Sequence, residues 1–456
     1  MPNPAQVNVS DVIDRSKVTN FHIGVFVLCA LCLIMDGFDV QAIGYVAPAL
    51  SRDWHITGAL LGSVLSAALM GVLFGSIVFS MAADRLGRRP LLIAACLFFS
   101  LVTLATSRVE TVTQLMVLRF IAGLALGSIM PNAISLVGEY SPRSVRVLMM
   151  IVVGTGFTAG AAIGGFVSFW LIPNFGWRSV FVFGGAIPLV IGVLMYFRLP
   201  ESIQFLVLHE KDPKTIGKWL SQVDPSVLIA ANTQYEVRER RLKGVPVVKL
   251  FQDGRAARTI LQWIVYFMNL LNLYFLSSWL PTVAGPLVKA AGASANVAVL
   301  LGSTLQIGGV FGALFLGWLV LRLGFVPVLA SCFALASVNI ALIGQPGLSL
   351  VSLFVVVFLA GLGVVGGQSS MNAFVGTLYP TDLRSTGIGS GLGVGRIGSI
   401  VGPMVAGQLI SLHWQPRRLF LAAAVPAAIS VVGMIAMRWA IEPQAVHNSE
   451  AKVMVH

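Results

Sequence analysis

Two acids and two arginines of this sequence lie inside long apolar runs: Asp36, Asp39, Arg119 and Arg396. Each would cost about 2.5–3.5 kcal/mol at the centre of a bilayer. The four are neutral as a set, so they are expected to face a cavity and pair. Asp36 and Asp39 are three residues apart and share one helix face. Two carboxylates that close do not easily both ionise where water is scarce, and they titrate as one coupled unit. That behaviour suits a proton carrier. The other reading is a helix kink at Gly37 flanked by hydrogen-bonded acids. His22, His55, His209, His413, His447 and His456 all sit near span ends or in loops, which leaves a carboxylate as the expected carrier.

Depth suggests which charges meet. Arg119 lies seven residues into its run, about 10 Å at 1.5 Å per residue, and Asp39 lies nine residues before Pro48, about 13 Å. An Asp39–Arg119 pair is therefore geometrically allowed if the first and fourth spans face each other. Arg119 then serves substrate or proton coupling, or stands as a fixed structural partner. Arg396 sits near mid-depth among Gly393, Gly395, Gly398 and Gly402. Its guanidinium offers a planar fork to a carboxylate, against a plain role in packing its helix.

The elements that must position these groups follow from composition. Of 456 residues 57% are hydrophobic and 11% charged, whereas a soluble domain carries about 25% charged residues. Soluble enzymes, collagen and disordered chains are excluded. Apolar runs long enough to cross a bilayer fall at 22–49, 58–82, 90–107, 112–138, 147–172 and 179–198, then at 259–284, 295–321, 325–344, 348–376, 385–412 and 418–438. The fold class is an all-α membrane protein of 12 transmembrane helices, six plus six. The expected domains are 1–199, a cytoplasmic linker at 200–257 with amphipathic helical pieces, and 258–456. No short apolar leader with a cleavage site precedes the first run, which reads as a retained helix.

With both termini cytoplasmic, 22 Lys and Arg lie on the inner side and six in the outer loops, as the positive-inside rule requires. The net charge of +12 is then topology and contact with anionic membrane lipids, and no nucleic-acid partner is expected. Cys29, Cys32, Cys96 and Cys332 all sit in apolar runs. The Cys29–Cys32 pair lacks the second pair that a zinc site needs, so these are packing thiols and no metal is expected.

The chain repeats itself. Gly75-x8-Asp84-Arg85-Leu86-Gly87-x2-Pro90 recurs as Gly312-x8-Leu321-Arg322-Leu323-Gly324-x2-Pro327, offset by 237 residues, and Phe120-x-Ala122-Gly123-Leu124 recurs at Phe358, offset by 238. Two homologous halves are the simplest explanation, and such halves imply alternating access around a midplane site.

The stretch SMAADRLGRRP at 80–90 resembles the loop 2–3 signature of the major facilitator superfamily, with Ser80 where that signature usually has Gly. LPES at 199–202 resembles its post-helix-6 signature. Residues 36–50, 269–282 and 379–403 are similar to the aromatic acid:proton symporters, importers of benzoate, hydroxybenzoates and protocatechuate. The resemblance implies a bacterial inner (plasma) membrane and a cavity lined by helices 1, 4, 7 and 10. It also assigns the acids of DxxD, here Asp36 and Asp39, to transport. We expect a monomer whose partners are the aromatic carboxylate, protons and lipids, with no cofactor.

An aromatic substrate also needs apolar walls and a few placed polar groups. Besides Arg119 and Arg396, the candidates are Tyr45, Asn269, Asn272, Trp279, Gln306, Gln368 and Asn372. Asn269 with Asn272, and Gln368 with Asn372, can share faces, although single amides in spans are often interhelical glue. Asp84, Arg85, Arg88 and Arg89, beside Glu139 and Arg143, are expected to form a gating latch at the inner surface, with Asp382 and Arg384 as the second half's remnant. A drug:proton antiporter is the competing transporter, but the glycine run at 154–165 lacks that group's proline. A non-transporting aromatic-acid sensor is the competitor from another class. There is no HExxH, no Ser–His pair at depth and no phosphate-binding loop, so neither an enzyme nor nucleotide drive is expected.

Overall fold

A computed structural model describes residues 6–209, 213–225, 233–237 and 247–453, without the side chains of 6, 80, 81, 84, 381, 382 and 442–453. Twelve long helices are described: α1 (Asn20–Trp54), α2 (Gly58–Leu86), α3 (Arg88–Thr106), α4 (Val112–Tyr140), α5 (Arg146–Phe175), α6 (Arg178–Arg198), α7 (Ala256–Val283), α8 (Val297–Leu323), α9 (Phe325–Ile343), α10 (Leu350–Leu378), α11 (Thr381–Ser411) and α12 (Pro416–Val453). All twelve are long and apolar enough to cross a membrane. In hydrocarbon every backbone polar group needs an internal partner, and a helix supplies it within one segment. Most helices outrun the apolar runs that mark them.

Packing groups the described chain into two units. One comprises 1–40, 70–161 and 178–241; the other comprises 41–69, 162–177 and 242–456. Three helices are therefore shared. The last turns of α1, the first turns of α2 and the last turns of α5 belong with the second group of helices. In that unit Ser66 Oγ donates to the Ile400 carbonyl at 2.9 Å and Ser303 Oγ to the Ala162 carbonyl at 2.7 Å. Gly58 and Gly62 of α2 lie against Pro403 and Gly407 of α11, close enough that a Cβ at Gly62 would stand 2.8 Å from the Pro403 carbonyl oxygen.

The two repeats have one structural cause. A Cβ at Gly71 would overlap the Phe120 carbonyl, and one at Gly75 would overlap the Leu124 carbonyl. In the other unit, Gly308 stands in the same relation to Phe358 and Gly312 to Leu362. The sequence echoes are thus the two sides of one helix crossing, α2 on α4 and α8 on α10, built twice. The third element of the repeat is a turn. Gly87 and Gly324 take φ of +97° and +82°, conformations that a Cβ disfavours, and each begins the next helix.

In the first unit a short N-terminal strand, β1 (Gln6–Asn8), pairs in parallel with β2 (Gln234–Glu236) of the linker. The helix Val9–Arg15 follows, capped by the Asn8 side chain. Asp14 of this helix binds Arg146 Nη2 at 2.5 Å. The linker also carries the amphipathic helix Pro213–Val223, which buries Ile216, Leu220 and Val223. All four cysteines are buried and free.

Helices α1 and α5 touch through glycine as well: a Cβ at Gly160 would overlap the Ile34 carbonyl, and one at Gly37 the Phe157 carbonyl. Backbone cannot yield as a flexible side chain does, so added volume forces the helices apart. Gly160→Val should destabilise the protein by about 1–3 kcal/mol, read as a lower thermal midpoint in detergent. Val substituted at Gly176, which has open space around it but a positive φ, would strain only a local turn.

Candidate functional site

In the first unit the side chains of Asp39 and Arg119 are both fully buried and form a bidentate pair. Arg119 Nη2 donates to Asp39 Oδ2 at 2.7 Å and Nη1 to Oδ1 at 3.1 Å, and Nη2 also reaches the Asp39 backbone carbonyl at 3.0 Å. Thr103 of α3 donates its hydroxyl to Asp39 Oδ1 at 2.9 Å. The ring of Phe181 from α6 lies 5.7 Å from the guanidinium carbon. Four helices thus close a dry box around one ion pair. Asp36 is also buried, one turn earlier on α1. Thr103 and Phe181 carry no signal in the sequence, because an isolated threonine or phenylalanine in an apolar run is ordinary packing.

The loop 2–3 motif forms a second cluster in the same unit. Arg88 Nη1 pairs with Glu139 Oε1 at 2.5 Å. Glu201 Oε1 accepts the backbone N–H groups of Arg88 and Arg89, each at 3.1 Å, which caps the start of α3 where Gly87 offers no side chain. A carboxylate is favoured at a helix N-terminus by the helix dipole. Arg89 donates to the Leu199 and Tyr196 carbonyls at 2.7 and 2.6 Å, and Tyr140 to the Glu201 carbonyl at 2.5 Å. The two sequence signatures, 80–90 and 199–202, are therefore one hydrogen-bonded cluster. Arg143 has an exposed side chain, and its backbone N–H meets the Asp14 carbonyl at 3.3 Å. Arg85 and Arg384 are exposed. The side chains of Asp84 and Asp382 lie outside the described residues.

In the second unit the embedded amides bind one another. Tyr266 Oη donates to Asn372 Oδ1 at 2.8 Å, Gln368 Nε2 donates to the same oxygen at 3.2 Å, and Asn269 Nδ2 donates to Gln368 Oε1 at 2.8 Å and to the Val364 carbonyl at 3.1 Å. This ladder joins α7 to α10. Asn272 stands apart from it, buried, with neither side-chain polar atom partnered among the described residues. Trp279 Nε1 donates to the Pro403 carbonyl at 3.0 Å and Gln306 Nε2 to Ser277 Oγ at 3.1 Å. Tyr45 is fully buried against Gly302 and Gly165. Tyr45, Trp279 and Gln306 thus lie in the seam where the ends of α1, α2 and α5 meet α7, α8 and α11. Arg396 differs from Arg119. Its side chain is half-buried, and its guanidinium makes no ion pair or hydrogen bond among the described residues.

A further network, at the α10–α11 corner, has no counterpart among the sequence expectations. The Tyr379 hydroxyl donates to Gln262 Oε1 at 2.6 Å and lies 3.0 Å from Thr259 Oγ1, while Gln262 Nε2 donates to the Gly387 carbonyl at 2.8 Å. Burial pushes the Tyr379 phenol up from its ordinary pKa, so it stays a hydrogen-bond donor. The position of Tyr379 directly after α10, in the segment YPTDLR, is the only clue the sequence offers.

The described residues thus hold twelve span-length helices, a crossing built twice and a buried carboxylate–guanidinium pair, and comparison with known proteins decides the family. The Major Facilitator Superfamily model matches residues 29–285 and 262–453. The chain belongs to that superfamily. It is a multi-pass membrane protein, in bacteria one of the inner membrane, and not an enzyme. It is 36% identical over 436 residues to the 4-hydroxybenzoate transporter PcaK of Pseudomonas aeruginosa, covering 95% of this chain and 96% of that one. It is likewise 36% identical to the gallate transporter of Pseudomonas putida, covering 95% and 96%. The benzoate transport protein of Acinetobacter baylyi is 34% identical, covering 94% and 92%. Among solved structures, the D-xylose-proton symporter superposes with a TM-score of 0.71 at 15% identity, covering 92% of this chain and 97% of that one, a likeness of fold alone.

In this superfamily member, removing one partner of the Asp39–Arg119 pair leaves a buried charge uncompensated, which costs about 3–5 kcal/mol. Arg119→Gln should therefore lower the thermal midpoint sharply, and Asp39→Asn combined with Arg119→Gln should recover much of the loss. A double variant no more stable than the single ones would show that the two residues do not form a mutually dependent pair.

Proposed function

We propose that this protein imports an aromatic carboxylate of the hydroxybenzoate, protocatechuate or benzoate class together with protons, by alternating access. The observation that carries this reading is the unequal state of the two embedded arginines. Both terminal nitrogens of Arg119 are bound to Asp39, with only Nε left unpartnered, whereas the whole guanidinium of Arg396 is unclaimed among the described residues and lies on a glycine-rich helix. An unclaimed fork at mid-depth suits a substrate carboxylate, since a bidentate charged pair is among the strongest contacts a side chain offers. The names of the relatives supply the substrate class, and the chain spans nearly their whole length.

Coupling then falls to Asp39. While ionised, Asp39 holds Arg119 and the pair is neutral. Once protonated, it no longer balances the guanidinium, and the added positive charge offsets that of the incoming carboxylate. A loaded, protonated carrier thus adds no net charge to the low-dielectric interior. Without substrate the protonated form carries an uncompensated cation, which disfavours proton leak. Import follows from the direction of the proton gradient across an energised membrane. Asp36, the second acid of the pair, shares the face and the burial needed to exchange protons with Asp39. The Arg88–Glu139 and Glu201 cluster suits a latch at the inner surface.

The test is uptake of labelled 4-hydroxybenzoate into proteoliposomes, with and without an imposed inward proton gradient. Accumulation above equilibrium should require the gradient and be blocked by excess protocatechuate or benzoate. Asp39→Asn should abolish accumulation while leaving substrate exchange. If that variant still accumulated substrate against a gradient, the coupling scheme would be wrong. Arg396→Gln should raise the KM about 10–100-fold, the loss expected when a charged hydrogen-bonding partner is removed. An unchanged KM would remove Arg396 as the anchor. Binding without uptake in the wild-type protein would instead indicate a sensor.

A further inference from the structure

Within α7, Pro281 has no N–H to give to the carbonyl of Ser277, four residues earlier, where an ordinary helical residue would donate. That carbonyl is not left empty. The side-chain Nε2 of Gln41 in α1 donates to it. Gln41 is buried, at 6% exposure. Gly44, one turn further along α1, makes room: a Cβ there would stand 3.0 Å from the Ser277 carbonyl oxygen and 3.3 Å from Gln41 Nε2. On the other side of the same residue, Ser277 Oγ accepts from Gln306 of α8. Three helices of the second unit are therefore clipped together at Ser277.

Gln41 lies two residues after Asp39, and the change from one packing unit to the other falls between Val40 and Gln41. At 3.6 residues per turn the two side chains point about 200° apart. Asp39 is held by Thr103 and Arg119 of the first unit, and Gln41 by Ser277 of the second. A single turn of α1 thus carries the ion pair on one side and the seam's hydrogen bond on the other. Any shift or rotation of α1 that follows loss of the Asp39–Arg119 pair bears directly on the Gln41 bond.

We propose that Gln41 is a positioning residue. Its bond to the carbonyl vacated by Pro281 is the releasable catch of the closed seam, and it ties the protonation of Asp39 to opening at the 54–58 end of the helices. The catch rests on the coupling role proposed above for Asp39, and on the orientation that places that end outside. A side-chain donor on a proline-vacated carbonyl suits this work. It satisfies a group that would otherwise be buried unpaired, yet it breaks without unwinding α7, because no helical hydrogen bond is lost.

The test compares the wild-type protein with Gln41→Met, Pro281→Ala and the double variant. Met keeps the bulk of Gln41 but has no N–H, and Pro281→Ala restores a backbone donor to the Ser277 carbonyl. Gln41→Met should lower the thermal midpoint, and the double variant should recover it. Transport should not recover. In both variants lacking Gln41 the external KM and Vmax should fall together by about five-fold, the population shift that one neutral hydrogen bond carries. The pH dependence of KM should flatten as well. Recovery of wild-type KM and Vmax in the double variant would overturn the proposal, because Gln41 would then serve only to satisfy the carbonyl. Unchanged KM and Vmax in Gln41→Met would overturn it too. If the wild-type protein takes up substrate with no dependence on the proton gradient, the coupling reading fails on that arm alone. The KM and Vmax comparison, made in substrate exchange, then still decides whether the seam has this catch.

Discussion

The absence of water in the bilayer core governs this molecule. A charge or a backbone polar group at that depth needs a partner inside the protein, and the partner's position then fixes the helices that carry both. Asp39 and Arg119 show how far this reaches. Their three hydrogen bonds, with that of Thr103, lock side chains of α1, α3 and α4 in register. The ring of Phe181 closes the fourth wall from α6. The pair is strong because it is dry. Being dry also suits the pair to the coupling role proposed for it, since one proton would remove a full unit of charge from a place where little else compensates.

The rest of the scaffold lets helices come close enough for such partners to meet. Backbone contact through glycine recurs at α2–α4, α8–α10 and α1–α5. Without a hydrophobic force between helices in lipid, small residues and interhelical hydrogen bonds hold the bundle. At the seam, Gly58 and Gly62 lie directly against Pro403 and Gly407, the close approach that the alternating access proposed above would have to undo. The α2–α4 crossing adds the Phe74–Phe120 ring contact to its glycine approaches.

Much of this was legible in the sequence because membrane physics writes in long signals. Apolar runs of about twenty residues mark each helix, so 58–82 became Gly58–Leu86 and 348–376 became Leu350–Leu378. Embedded charges are few enough to pair by depth alone, and the structure brings Asp39 and Arg119 together. The repeat was visible, but its meaning as one crossing needed both sets of contacts at once. The polar amides were harder. Spacing put Asn269 and Asn272 on a shared face, yet Asn269 joins the α7–α10 ladder and Asn272 does not. What a side chain meets depends on the neighbouring helix's register, which no periodicity within one helix records. Glu201 shows the same limit: the signature LPES was evident, but not that its carboxylate caps α3 more than a hundred residues earlier.

Proline makes the limit sharper. Each interior proline, such as Pro48, Pro131, Pro188, Pro281 and Pro403, frees one carbonyl of its own helix, and the address of every freed acceptor can be read from the sequence. Which donor arrives is a tertiary fact. At Ser277 the donor is a glutamine from α1, so a defect in one helix becomes a bond between two. A broken helical bond is therefore not simply a weakness in a transporter. It is an acceptor that can be occupied or released without unfolding anything, and the membrane's demand for satisfied backbone groups gives its occupation a definite energetic consequence.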